Sequence, residues 1–106
     1  MQIRGGMNEL MRQAARMQRK IEQTKKDVQD KEIVATAVGD KVKVTVTYGR
    51  KISRIEIDPE FLKSEGIELS LDAVVAALNS GIEQADKAME AEVEKVTGGV
   101  KIPGVV

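Results

Sequence analysis

The sequence predicts an α+β domain in the order α-β-β-β-α, a three-stranded antiparallel sheet with two long helices. Three observations predict it. A heptad seam runs unbroken from Met7 to Val28, three short runs rich in β-branched residues follow, and a second heptad seam extends from Leu71 to Val96. The chain has 106 residues, enough for one such domain, and 1–106 reads as a single unit without internal repeats.

The first helix is expected from about Met7 to Gln29. Its seam is Met7, Leu10, Ala14, Met17, Ile21 and Val28, with Thr24 in the one polar place, at spacings alternating between three and four. No Gly or Pro interrupts it, and most of its residues are good helix formers. About 23 residues at 1.5 Å each give a helix of roughly 34 Å. Asn8 offers an N-cap, with an earlier start left open, and residues 1–6, with Arg4 and Gly5-Gly6, read as a flexible basic arm.

Three strands come next. Ile33 to Val38 is apolar on both parities and ends at Gly39-Asp40, so it is expected to touch something on both sides. Val42, Val44, Val46 and Tyr48 alternate with Lys43, Thr45 and Thr47, the period of a half-buried strand. After Gly49-Arg50, Ile52 to Ile57 sets Ile55 and Ile57 on one face and Arg54 and Glu56 on the other. Such short turns imply an antiparallel meander.

Asp58-Pro59 ends the strands, because Pro cannot continue a ladder. Glu60 to Leu69 reads as a connection with a helical turn at Glu60-Phe61-Leu62. Ser70 is the expected N-cap of a second helix from Leu71 to about Val96, with the seam Leu71, Val75, Leu78, Ile82, Ala85, Met89 and Val96. Gly81 inside it admits two readings, close approach of another helix or a tolerated imperfection costing about 1 kcal/mol. Gly98-Gly99 stops the helix, and 98–106 reads as a tail.

A six-residue strand spans roughly 20 Å, so a 34 Å helix overhangs the sheet with its seam still apolar. Tyr48 and Phe61 are the only aromatic residues, so no bulky core absorbs that excess. A second copy would cover it, and the expectation is a homodimer.

Composition removes several function classes. The chain has no Cys and no His, which excludes disulfides, His or Cys zinc sites and a Ser-His-Asp or Cys-His nucleophile built from this chain alone. No phosphate-binding glycine motif occurs. Asp58 and Glu60 could in principle act as a carboxylate pair, but nothing near them supplies a nucleophile, and an acidic helix start explains them better. Glu90 and Glu94 suit a solvated helix face better than a cation site. No catalytic residue, metal or cofactor is expected. No apolar run approaches the ~20 residues of a membrane helix, and Met1 to Gly6 lacks the apolar core of a secretory signal. The absence of Cys fits a cytoplasmic location.

Net charge is zero, yet residues 1–57 hold 13 Lys/Arg against 7 Asp/Glu and residues 58–106 hold 4 against 10. A basic surface and two differently charged solvated faces both fit that asymmetry. The pattern on the first helix says more. With Met7 at heptad position a, all three f positions, Arg12, Arg19 and Lys26, are basic, and f points away from the seam. Arg16, Lys20 and Lys25 flank them. The stripe is roughly 21 Å long, enough to meet several phosphates of duplex DNA. Without a helix-turn-helix or an aromatic platform, binding of this kind would rest on phosphate contacts, with weak sequence preference.

Four segments resemble the YbaB/EbfC nucleoid-associated proteins: Met7-Asn8-Glu9-Leu10-Met11-Arg12-Gln13-Ala14 with Met17-Gln18, Ile55-Glu56-Ile57-Asp58-Pro59-Glu60-Phe61-Leu62, Asp72-Ala73-Val74-Val75-Ala76-Ala77-Leu78-Asn79, and Gly98-Gly99 with Pro103-Gly104. Each is weak alone, and their order together with the α-β-β-β-α pattern covers nearly the whole chain. The resemblance implies a small bacterial cytoplasmic protein that binds double-stranded DNA on the nucleoid as a homodimer. It implies paired long helices that project like tweezer arms. Carried onto this chain, the DNA-binding candidates are Arg12, Arg16, Arg19, Lys20, Lys25 and Lys26, and neither a membrane nor a small-molecule substrate is expected. The second arm fits less well, because Glu83, Asp86, Glu90, Glu92 and Glu94 outnumber Lys87 and Lys95 there. The alternative is a protein-binding clamp or chaperone module, since two long helices around a β-hairpin region also resemble prefoldin-like chaperones. Met7, Met11, Met17 and Met89 would suit an adaptable client surface or fill a dimer core.

Overall fold

A computed structural model of the chain describes residues 2–98, with side chains from residue 6 onward. The elements are α1 (Gln2–Val28), β1 (Glu32–Ala37), β2 (Val42–Thr47), β3 (Ile52–Ile57) and α2 (Pro59–Thr97). The order is the expected α-β-β-β-α. The strands form one antiparallel sheet in the order β1-β2-β3, and the two short turns make it a meander.

Val42, Val44 and Val46 are fully buried and define the inner face of the sheet. Register puts Ile33, Ala35 and Ala37 beside them from β1, and Ile52, Ile55 and Ile57 from β3. A register irregularity between Thr45 and Val46 sets Ser53 aside, which is how Ile52 joins the face of Ile55. Helix α2 lies across β1 and β2 and meets β3 only along one flank.

Two long helices were expected, and both form, but both begin earlier than expected. Helix α1 starts at Gln2, so residues 2–6, expected as a flexible arm, are helical, and Asn8 is not a cap. Most of the expected connection 60–69 is helical, and α2 begins at Pro59. Its N-cap is Asp58 rather than Ser70, with the Asp58 carboxylate accepting a hydrogen bond from the Glu60 amide at 2.9 Å. Pro59 takes the first helical position, where its missing N–H costs nothing. The single interruption is Gly66, at φ 83° and ψ 173°, a region open in practice only to glycine. The Ser70 hydroxyl is buried and donates to the Gly66 carbonyl at 2.7 Å, so Ser70 repairs the break from its far side instead of capping. At the other end Gly98 caps α2 in the left-handed region, its N–H donating to the Glu94 carbonyl. The rest of the expected tail, 99–106, lies outside the described residues.

Packing corrects two further expectations. The buried stripe of α2 over the sheet is Ser70, Ala73, Val74, Ala77, Gly81 and Ala85, mostly small residues, and not the heptad seam of larger ones. A Cβ on Gly81 would sit 2.6 Å from Val46 Cγ2 and 3.4 Å from Ala35 Cβ. The close approach at Gly81 is therefore to the sheet, not to another helix. Strand β1 touches α2 on its inner side only, and Val34 and Val38 are exposed.

Helix α1 does not lie on the sheet. It packs antiparallel on the outer half of α2, and the molecule is 75 Å long and 20 Å by 17 Å across. Ile21 and Val28 are buried in this helix pair, as are Val93 and Thr97 of α2. No described helix is long and apolar enough to cross a membrane.

Candidate nucleic-acid interface

The basic residues of α1 sort by helical geometry. Each step around an α-helix turns about 100°, so the face opposite the Met17–Ile21–Val28 seam carries Asn8, Arg12, Arg16, Arg19, Gln23 and Lys26. Glu22 and Glu9 stand at its two edges, in the heptad rows of Asn8 and Arg16. All six side chains are exposed. Arg12 and Arg16 each lie 3.6 Å from Glu9, an exposed pair at the rim of the stripe that solvent screens. Among the described residues, no carboxylate lies within 4.0 Å of Arg19, Lys20, Lys25 or Lys26.

Two of the six candidates are set apart. Lys20 lies toward one side of the helix, and Lys25 sits beside the seam at an e position. Lys25 lines a crevice of about 360 Å³ with Tyr48, Gly49, Arg50, Asp86, Met89 and Glu90, where α1, α2 and the β2–β3 turn meet. Its setting is therefore mixed in charge. The heptad register of the sequence already carries this distinction.

The acidic surface of α2 is partly neutralised. Arg50 pairs with Asp86 at 3.4 Å, Lys87 with Glu83 at 3.3 Å, and Glu92 with both Lys95 at 3.2 Å and Lys31 at 3.5 Å. The hydrogen bond from Lys95, with the nearby charge of Lys31, holds the Glu92 carboxyl below its ordinary range. Glu90 and Glu94 have no cation within 4.0 Å among the described residues. Asp58 is likewise held low, first by the Glu60 amide and then by Lys41 at 3.2 Å, as its capping role requires. The Asp58 and Glu60 carboxylates belong to a helix start. Among the described residues no group of His, Cys, Asp and Glu could hold a metal ion.

Sequence reasoning missed an apolar surface at the sheet end. Because α2 leaves β3 largely uncovered, Ile52 and Ile55 are exposed on what should be the core face. The neighbouring flank of α2 exposes Ile67, Leu71 and Val75, the last two 52% and 54% accessible. The signal was present in the heptad seam beginning at Leu71, whose first large residues neither the sheet nor α1 covers.

A model of the YbaB/EbfC DNA-binding family matches residues 4–100. This chain belongs to that family. It is similar to a nucleoid-associated protein of Clostridium acetobutylicum, 35% identical over 101 residues that cover 95% of this chain and 90% of that one. It is also similar to a nucleoid-associated protein of Agathobacter rectalis, 38% identical over 96 residues, with 91% and 85% covered. Among solved structures, an uncharacterized protein of Helicobacter pylori shares the fold, with a TM-score of 0.68 at 18% identity, covering 86% of this chain and 96% of the other. The YbaB/EbfC assignment and the α+β architecture agree with the resemblance in the four sequence segments.

Proposed function

We propose that this YbaB/EbfC chain is a non-enzymatic, nucleoid-associated protein of the bacterial cytoplasm that binds double-stranded DNA as a homodimer. Binding rests mainly on phosphate contacts, with weak sequence preference. The observation that carries the reading is the exposed face of α1 with Arg12, Arg16, Arg19 and Lys26 in line, basic at every f position. Guanidinium groups match phosphate geometry, and each phosphate neutralised releases counterions. Lys20 borders this site. Lys25, beside Asp86 and Glu90, contributes least. The names of the relatives point the same way.

The homodimer rests on the apolar strip of Ile52, Ile55, Ile67, Leu71 and Val75, which a second copy would cover by two-fold pairing. Each dimer then carries two basic α1 arms. Sedimentation of the Leu71→Asp/Val75→Asp variant is expected to show monomer where the native chain shows dimer. Native chain sedimenting as monomer would overturn the dimer.

DNA binding is tested by fluorescence anisotropy of a labelled random-sequence duplex across a salt series. The variant Arg12→Glu/Arg19→Glu/Lys26→Glu is expected to bind more weakly on every sequence and to reduce the slope of log affinity against log salt by about three. Unchanged affinity in a folded triple variant would reject the stripe as the site. Absence of binding by the native dimer at low salt, with suppressed aggregation of a model client, would favour the clamp.

A further inference from the structure

The apolar seam of α1 outlasts its partner. Ile21 is buried and Met17 half-buried, whereas Ala14, Met11, Leu10 and Met7 are exposed. The change falls where α2 stops. Lys25 lies beside Met89 in an antiparallel pair, so Thr97, the last residue of α2, comes level with about Met17. From Met17 to Met7 the uncovered seam runs on for roughly 15 Å.

Directly at that point the chain emerges. Gly98, in the left-handed region at φ 63°, ends the helix and redirects the backbone. The eight residues that follow are Gly99-Val100-Lys101-Ile102-Pro103-Gly104-Val105-Val106, with four branched apolar side chains and one charge. Pro103 and Gly104 disfavour a continued helix. In extended form eight residues reach about 26 Å, more than the uncovered seam needs.

We propose that residues 99–106 of the same chain dock along Met7, Leu10, Met11 and Ala14, taking over the seam where α2 ends. The segment is apolar, it starts beside the last covered turn of α1, and its reach matches the exposed stretch. Docking leaves Arg12 and Arg16 free on the opposite face and steadies the turns that carry them. The inference is independent of the DNA reading.

The chain contains no Cys, so a Val105→Cys variant takes a single nitroxide label. Isotope-labelled, spin-labelled chains are diluted into an excess of unlabelled native chain, so that contacts within one chain dominate the spectrum. The expected result is loss of the amide signals of residues 7–14, with those of β1 retained. Adding Ile102→Asp is expected to restore them. Retained signals at 7–14 would overturn the proposal. So would loss seen only between a labelled chain and a separate isotope-labelled chain, which would assign the seam to a second copy.

Discussion

The two halves of α1 carry one seam and meet two fates. From Met17 to Val28 the seam is pressed against α2, and Ile21 is 1% exposed. From Met7 to Ala14 the same repeat faces outward, with Leu10 66% exposed. Periodicity names the face a helix will bury, but where burial begins and ends depends on how far the partner element reaches. Here the limit is Thr97. The basic stripe ignores this boundary. Arg12 and Arg16 ride on the uncovered half, Arg19 and Lys26 on the anchored half, so one basic line draws on two mechanically different supports.

The largest test of this contrast is truncation of the seam on either side of it. Ile21→Ala should cost about 2–5 kcal/mol, since the side chain is enclosed between the helices. Leu10→Ala should cost less than Ile21→Ala, because α2 does not reach it and most of its surface is accessible in the helix pair. Urea unfolding of the two variants decides it, and equal losses would break the comparison.

A smaller effect is expected where α2 itself is anchored. Gly81→Ala puts a methyl 2.6 Å from Val46 Cγ2, and Val46 is fully buried and cannot swing aside. Overpacking should cost about 1–3 kcal/mol, outweighing the better helix propensity of Ala. Hydrogen exchange should quicken in the sheet and leave the amides of 7–14 as they were. Faster exchange at 7–14 as well would mean that the two ends are coupled.

The smallest expected effect is electrostatic and lies at the root of α1. Glu92 is held below its ordinary value of 4.5 by Lys95 and Lys31. A lowered folded-state value means stability that is complete above the unfolded-state pKa and is lost as pH falls through the folded one. Glu92→Gln should therefore weaken the helix pair modestly at neutral pH, with the difference from the native chain vanishing in acid. A carboxyl titration by NMR that placed Glu92 at or above 4.5 would remove the effect.

Much of this architecture was legible in the residues. Alternation in Val42–Thr47 fixed the sheet's inner face, and β-branched runs set all three strands to within one residue. Gly66 was harder to read, because one residue in a glycine-only conformation interrupts α2 without ending it. Ser70 had the chemistry of a cap, yet its hydroxyl serves the Gly66 carbonyl. The heptad rule selected Leu71 and Val75 for the core because they are large, whereas the sheet accepts Ala77 and Gly81 because they are small. Of the candidate site, the outward line of Arg12, Arg19 and Lys26 followed from spacing alone. The surroundings of Lys25 did not, since they depend on Asp86 and Glu90 arriving from the far end of the chain.

The 75 Å length of the molecule has a mechanical consequence. With the sheet as a base, α1 is held by α2 from Val28 to about Met17, and only the turns beyond Met17 form a lever. Arg12 stands about five residues, or roughly 8 Å, beyond that hold. A tilt of about 10° there carries the helix axis at Arg12 only roughly 1 Å. The basic line from Arg12 to Lys26 is thus nearly fixed in shape, and the play of the arm is left to the turns around Met7.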